Sequence, residues 1–290
     1  MKPPPYEYDR AVSVEETLAL LAEHGDDAKL LAGGQSLVPL LNFRIARPER
    51  LIDINEVTEL DRIDLDGVLT IGALTRHATL EHSQEVMSRV PLLHEAIRFV
   101  GHPQIRNRGT IGGSVAHGDP SAELPAAFAA LDATYHLRSK WGARTVTSQE
   151  MFVTHLTTAL KPEELLTEIE VPLPSVGTGA AFVEYARRHG DFALAGAAVL
   201  VTKADDGSCA RASIALLAAG PTSIRATEAE QALAGHRIDT EIAREAAATA
   251  VRDVMPLTDV HGGSDYRREV LEGLVRRALV LASNRAEGPA

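Results

Sequence analysis

Cysteine is almost missing: Cys209 is the only one in 290 residues. A single thiol excludes an intramolecular disulfide framework, a thiolate zinc site and an iron–sulfur cluster ligated by this chain. Aromatic residues are scarce as well, at 4%. The longest apolar run, residues 192–201, spans ten positions and is too short to cross a bilayer. The opening MKPPPYEYDR has consecutive prolines and no apolar h-region, so a secretory signal is not expected and a cytoplasmic location is. Basic residues are in the minority, 29 against 40 acidic, for a net charge of −11. Such a surface repels phosphate backbones, which argues against a general nucleic-acid binder.

What is present is an ordinary globular composition, 45% hydrophobic and 24% charged. The length fits roughly two domains, each able to bury a core. A strand is expected near residues 6–8, then a helix from Ser13, where Ser13 and Glu16 form an S-x-x-E capping box ahead of Leu18, Leu20 and Leu21. Residues 29–32 read as a strand running into Gly33-Gly34. Strands are expected at 50–54 and 68–71, helices over 79–85, 92–100 and 124–131, and paired strands at 134–137 and 145–146. Residues 164–171 lead into Pro172, Pro174 and a run of small residues, which places a boundary at 176/177. Beyond it, strands are expected at 182–187, 195–203 and 210–217, with Asp205-Asp206-Gly207 as the hairpin turn between the last two. Helices over 224–234, 240–254 and 264–283 complete the chain. The class is α+β, ending in a smaller domain with a three-stranded antiparallel sheet and a helical group.

Ala32-Gly33-Gly34-Gln35-Ser36 and Thr110-Ile111-Gly112-Gly113-Ser114 share a layout of paired glycines followed by a small hydroxyl residue. Glycine lets backbone N–H groups converge into an anion-binding nest, and a helix beginning just after it adds its positive end. One such loop can hold one phosphate; two brought together can grip a pyrophosphate. A plain turn is the alternative for either loop alone. Neither matches G-x-G-x-x-G or G-x-x-x-x-G-K-[ST], so a Rossmann site and a nucleotide P-loop are both poorly supported.

The run Leu31-Ala32-Gly33-Gly34-Gln35-Ser36-Leu37 resembles the first FAD-binding loop of the medium, flavin-carrying subunits of molybdenum hydroxylases. That family includes the carbon monoxide dehydrogenase medium subunit and the flavin domain of xanthine dehydrogenase. Ile105-Arg106-Asn107 with Gly109-Thr110-Ile111-Gly112-Gly113-Ser114 resembles its second loop, and Leu51-Ile52-Asp53-Ile54 and Ile71-Gly72-Ala73-Leu74-Thr75 its connecting strands. Arg187-Arg188-His189-Gly190-Asp191-Phe192-Ala193 is similar to the entry of its C-terminal domain, and residues 264–279 to its final helix. The resemblance implies a two-part FAD-binding domain of the PCMH/vanillyl-alcohol-oxidase type over 1–176, split near residue 55 into a small and a larger subdomain. A carbon monoxide dehydrogenase flavoprotein C-terminal-like domain follows over 177–290.

Carried over by position, the resemblance implies that the backbone of Ala32, Gly33, Gly34, Gln35 and Ser36 and of Thr110, Ile111, Gly112, Gly113 and Ser114 holds the FAD pyrophosphate. Gln35 stands where histidine or asparagine is also common, and Ser114 where asparagine is frequent. Asp119 and Glu123 fall where relatives contact ribitol or ribose hydroxyls, which a carboxylate can accept from. Helix capping by Asp119 ahead of Pro120 is the alternative. Leu166 and the segment around Glu184 and Tyr185 match stretches that reach the flavin from below. Phe192 matches a residue covering one flavin face, with an interior packing role as the alternative. His77, His102 and His117 lack metal-ligand spacing and read as hydrogen-bonding or solvated side chains. Cys209 reads as inert.

The implied function is an oxidoreductase subunit with no substrate chemistry of its own. Electrons arrive from two [2Fe–2S] clusters on a small partner subunit, reach FAD and leave to an external acceptor, while a large molybdopterin subunit oxidises the substrate. The implied assembly is a dimer of heterotrimers, peripheral at the inner membrane face if its acceptor is a quinone. Two alternatives stand beside it: a stand-alone FAD-dependent oxidase or reductase using candidates such as Tyr185, His189 and Asp191, and a non-catalytic adaptor that has lost FAD.

Overall fold

The computed structural model describes residues 2–286, so residues 287–290 of the expected C-terminal domain lie outside the described residues. The chain starts with β1 (Glu7–Arg10), α1 (Val14–His24), β2 (Ala28–Leu31), α2 (Leu37–Asn42) and β3 (Arg50–Asp53). The Ser13 hydroxyl accepts the Glu16 N–H at 3.1 Å, and the Glu16 carboxylate reaches one residue further back than a capping box requires, to the Val12 N–H at 2.8 Å. The strands form a parallel sheet in the order β1-β3-β2, closed over the buried face of α1 by Val14, Leu18 and Leu21. Register places Leu31 and Arg10 on either side of Asp53, so β2 delivers the first glycine pair to the carboxyl end of this sheet.

The second sheet begins with a hairpin, β4 (Ile63–Asp66) and β5 (Val68–Gly72), turned at Gly67 with φ +73°. β4 was not expected from sequence; its Ile-Asp-Leu-Asp alternation puts Ile63 and Leu65 against the core and both acids outside. Next come α3 (His77–His82), α4 (Gln84–Arg89), α5 (Pro91–Ile97), α6 (Pro103–Arg106), α7 (Ile111–His117) and α8 (Glu123–Ala130). The helix expected over 79–85 is in fact two, because Ser83 ends α3 and its hydroxyl caps α4 by accepting the Val86 N–H. β6 (Thr134–Ser139), β7 (Gly142–Thr147), α9 (Ser148–Met151), β8 (Phe152–Thr154), β9 (Thr157–Thr158) and β10 (Leu165–Pro172) follow, and the sheet runs β4-β5-β10-β6-β7, all antiparallel.

The C-terminal part has four strands, not three: β11 (Thr178–Tyr185), β12 (Ala195–Lys203), β13 (Cys209–Leu217) and β14 (Ile224–Arg225) in sequential antiparallel order. The expected helix at 224 starts later because Arg225 is tied down. Its guanidinium donates to the Ala129 carbonyl, Asp132, Ser213 and Glu230, which holds Ile224–Arg225 against β13. A two-residue strand has no periodicity to read. α10 (Thr227–Leu233), α11 (Thr240–Ala250) and α12 (Ser264–Arg285) cover one face of this sheet. The other face, with Ala180, Phe182, Ala198, Leu200, Ala215 and Leu217, is buried in the same cluster as α5 and α8. One core therefore runs through the seam between the two parts of the chain.

Candidate functional site

Gly33 is where the two glycine segments meet. A Cβ at Gly33 would collide with the Arg108 carbonyl oxygen and stand 2.8 Å from Gly109 Cα, and one at Gly113 would stand 3.9 Å from the Ala32 Cβ. Gly34, at φ +73°, turns the chain into α2. Among the described residues, no backbone or side-chain acceptor takes the N–H of Gly33, Gly34, Gln35 or Ser36. Four successive donors without protein partners form a nest for an anion. Gly33, Gly34 and Gln35 border a cleft of about 380 Å³ lined also by Asp53, Asn55 and Arg108.

The second segment is built differently. Thr110 is the N-cap of α7, its hydroxyl accepting the Gly113 N–H at 3.1 Å. The Ile111 N–H donates to the Thr75 carbonyl at 2.9 Å, Gly112 to Ala73 at 2.8 Å and Ser114 to Thr110 at 3.0 Å. Thr110 to Ser114 do not line the cleft; they stand behind its floor. Gly112 allows the contact with β5's end, since a Cβ there would be 2.5 Å from that of Ala73.

Two side chains, Asn55 and Arg76, lock the segments together, and neither they nor Arg108 stood out in the sequence. The Asn55 amide donates to the Ala32 carbonyl at 2.9 Å and to Asp53 at 2.6 Å. Arg76 donates to Asn55 Oδ1 at 2.7 Å and to the Arg108 carbonyl at 2.5 Å, so one guanidinium bridges both segments. The Arg108 side chain itself is exposed, lines the cleft and has no ion pair among the described residues. Its signal in the sequence was a cation next to a glycine segment in an acidic chain. Asn55 and Arg76 gave none, because their role depends on tertiary placement. Asp53 is held below the usual carboxylate range by the Tyr8 hydroxyl at 2.6 Å and the Asn55 amide groups, against an opposing effect of burial.

The remaining candidates lie elsewhere. Asp119 accepts the Ser121 N–H at 2.8 Å in a turn; α8 starts at Glu123 with Ala122 as N-cap, so Asp119 does not cap it. Glu123 is buried, and burial pushes its carboxyl up to about 7. Leu166 is a core residue on β10, 4% exposed. The Tyr185 hydroxyl accepts from Tyr266 at 3.1 Å. Phe192 is 71% exposed, which removes its interior alternative. Its segment is fixed on the N-terminal part: His189 stacks on Phe99, and a Cβ at Gly190 would be 2.6 Å from His102 Nδ1. His77 is buried with Nε2 2.9 Å from the Thr110 carbonyl oxygen. Cys209 is buried, which raises its thiol. No group of residues suited to hold a metal ion, and no helix long and apolar enough to cross a membrane, occurs among the described residues.

Residues 4–174 match the family model described as the FAD binding domain in molybdopterin dehydrogenase, and residues 180–282 that of the CO dehydrogenase flavoprotein C-terminal domain. The chain is 48% identical over 287 residues to the 6-hydroxypseudooxynicotine dehydrogenase complex subunit alpha of Paenarthrobacter nicotinovorans, covering 99% of this chain and 97% of that protein. It is similar in structure to a carbon monoxide dehydrogenase chain from Hydrogenophaga pseudoflava, with a TM-score of 0.95, 42% identity and coverage of 98% and 99%. A quinoline 2-oxidoreductase chain from Pseudomonas putida 86 superposes with a TM-score of 0.94 at 38% identity, covering 99% of each.

Proposed function

The chain belongs to the family of FAD-binding medium subunits of molybdenum hydroxylases, and on that premise we propose that it relays electrons from a partner's [2Fe–2S] clusters, through FAD, to an external acceptor. Substrate oxidation takes place on a large molybdopterin partner subunit, and the clusters sit on a small one. The assembly is a dimer of heterotrimers, and the division at residues 176/177 belongs to this reading.

The observation that carries it is the row of N–H groups from Gly33 to Ser36 without protein partners, of which Gly33, Gly34 and Gln35 line a cleft together with Arg108. This arrangement fits a dinucleotide pyrophosphate. The N–H groups of Gly33, Gly34, Gln35 and Ser36 would donate to phosphate oxygens and Arg108 would supply positive charge, while Arg76 and Asn55 hold the two segments together. Ala32 and the block from Thr110 through Ile111, Gly112 and Gly113 to Ser114 give the loop a rigid back wall. Following the resemblance, Asp119 and Glu123 would contact the sugar-like chain of FAD, and Leu166, Tyr185 and Phe192 would lie on the side of its ring system. When bound, FAD supplies the exchange between one-electron and two-electron carriers. Everything the chain adds is position, charge and access.

The test is an absorption spectrum of the purified chain with and without added FAD, repeated with Gly33→Val, together with metal analysis of the complex it co-purifies in. Flavin bands lost in the variant, and molybdenum and iron in the complex, are the expected results. A colourless chain that takes up no FAD even beside its partner subunits overturns the reading. So does steady substrate turnover by the lone chain.

A further inference from the structure

Glu123 and Glu184 approach the seam between the two parts of the chain from opposite sides. Glu123 opens α8, is 7% exposed, and has its own backbone N–H as its hydrogen-bond partner. Glu184 stands near the end of β11, two positions along from Phe182 and so on the same strand face, the one buried against α5 and α8. Its Oε2 is buried without a hydrogen-bond partner. The topology joins the two. Glu184 lies opposite Gly196, Gly196 opposite Leu217, and the next residue, Ala218, donates its N–H at 2.8 Å to the Pro120 carbonyl in the turn that opens α8. Leu217 closes over Gly196, which has no Cβ to keep it away, so Glu184 is walled by hydrocarbon on that side.

Among the described residues, no cation answers these carboxyls. Arg285 on α12 is committed to Glu95 at 2.8 Å and the Ala180 carbonyl at 2.6 Å, and Glu95 on α5 accepts the Phe182 N–H at 3.0 Å. Asp119, in the turn before α8, adds negative charge beside Glu123. His117, at the end of α7, is pushed down by burial. α8 carries no other ionisable side chain, and Lys203 and Arg211 lie at the far ends of β12 and β13. Two carboxyls buried near each other without a counter-ion do not both ionise at neutral pH. Burial is the main cause that raises each, to about 7 for Glu123 and about 8 for Glu184, and the Glu123 charge adds to the second.

We infer that Glu123 and Glu184 are a carboxyl pair that keeps one proton at neutral pH and offers its O–H as a hydrogen-bond donor to a carbonyl oxygen of the flavin. The donation rests on the FAD reading above; the pair itself does not. Loss of the proton replaces a donor with a carboxylate facing an acceptor oxygen, so FAD binding weakens as pH rises through the pair's titration.

Two measurements on the purified chain separate these parts. The infrared spectrum of the FAD-free chain shows a protonated-carboxyl C=O band near neutral pH that fades in alkali and is missing from Glu123→Gln/Glu184→Gln. Adding FAD moves that band to lower frequency. FAD titration gives a dissociation constant that rises about tenfold from about pH 7 to about pH 9 in the parent. It stays level in Glu123→Gln/Glu184→Gln, whose amides keep donors and do not titrate; if that variant does not fold, Glu184→Gln shows only the smaller rise left by Glu123 alone. A parent with no such band overturns the pair. A band that stays in place while FAD binds, or a parent affinity independent of pH, overturns the donation. A chain that shows the band and binds no FAD overturns the flavin reading and the donation with it, and leaves the pair standing.

Discussion

Gly33 and Arg108 touch backbone to backbone: a side chain on the glycine would occupy the space of the Arg108 carbonyl oxygen. The two glycine segments are thereby held at one separation. Gly33→Ala forces them apart and is expected to cost about 1–3 kcal/mol by overpacking. It also lowers the flavin-to-protein absorbance ratio of the purified chain. Gly142→Ala is the control, because nothing lies within 4 Å of a Cβ there. Equal melting temperatures and flavin content in the two variants would remove Gly33 from the site.

Arg76 and Arg108 are neighbours with different work. Arg76 is a bolt, bonded to Asn55 and to the Arg108 carbonyl, whereas the Arg108 guanidinium is exposed and unpaired among the described residues. Arg108→Ala is expected to leave the melting temperature unchanged, since surface substitutions of this kind fall within about 0.5 kcal/mol. It weakens FAD about tenfold, with the deficit shrinking as salt rises. Arg76→Ala lowers both stability and affinity. FAD titrations at two ionic strengths, beside thermal melts, check the pair. An Arg108→Ala chain that binds FAD like the parent would show that its charge does not reach the phosphates.

His77 makes stability depend on acid. Its ring is 4% exposed, Nε2–H donates to Thr110, and Nδ1 faces Gly109 without a partner. Burial lowers it from 6.5 to about 4. Between those values the unfolded chain binds a proton that the folded chain does not. The stability this ring contributes is therefore complete above pH 6.5 and is lost as pH falls toward 4, by up to about 3 kcal/mol. His77→Gln keeps the donor and does not titrate. Denaturant melts should show the parent losing about that much relative to the variant over this interval. The carboxyls at the seam titrate in both proteins and cancel in the difference. A constant difference would mean that the buried ring is already charged.

The elements legible in the sequence were those whose physics is local. The Ser13 cap, the Asp205-Asp206-Gly207 turn and the apolar runs of β12 and β13 each declare themselves within a few residues. β14 and the split at Ser83 did not, since one depends on Arg225 reaching across to Asp132 and the other on a single hydroxyl. At the site, the glycine pairs were visible and their inequality was not. Whether a Gly-Gly segment leaves its N–H groups open depends on which carbonyls approach it, and Thr75 and Ala73 approach only the second. Arg106 shows the same limit within a recognised motif. It is 7% exposed, paired in a bidentate way with Glu81 at 2.7 and 3.0 Å, and bonded to the Val100 and Gly101 carbonyls, so it fixes the loop ahead of α6.

Phe192 tests the step from structure to electron traffic. An apolar ring 71% exposed has no packing reason to be there, and its segment is fixed at both Phe99–His189 and His102–Gly190. A ring held out on a fixed stalk suits a cover over a bound ligand better than a fluctuating loop does. Phe192→Ala is expected to leave the melting temperature within experimental error, because little burial is lost. In the FAD-loaded complex it should speed reoxidation by oxygen several-fold while FAD content stays constant, read by stopped-flow absorbance. Gly190→Val, at φ +88°, strains the stalk and forces out the His102 contact, and should give the same faster reoxidation with Phe192 still present. If Phe192→Ala changes the melting temperature and not the reoxidation rate, the ring serves packing with a partner subunit and not access to the flavin.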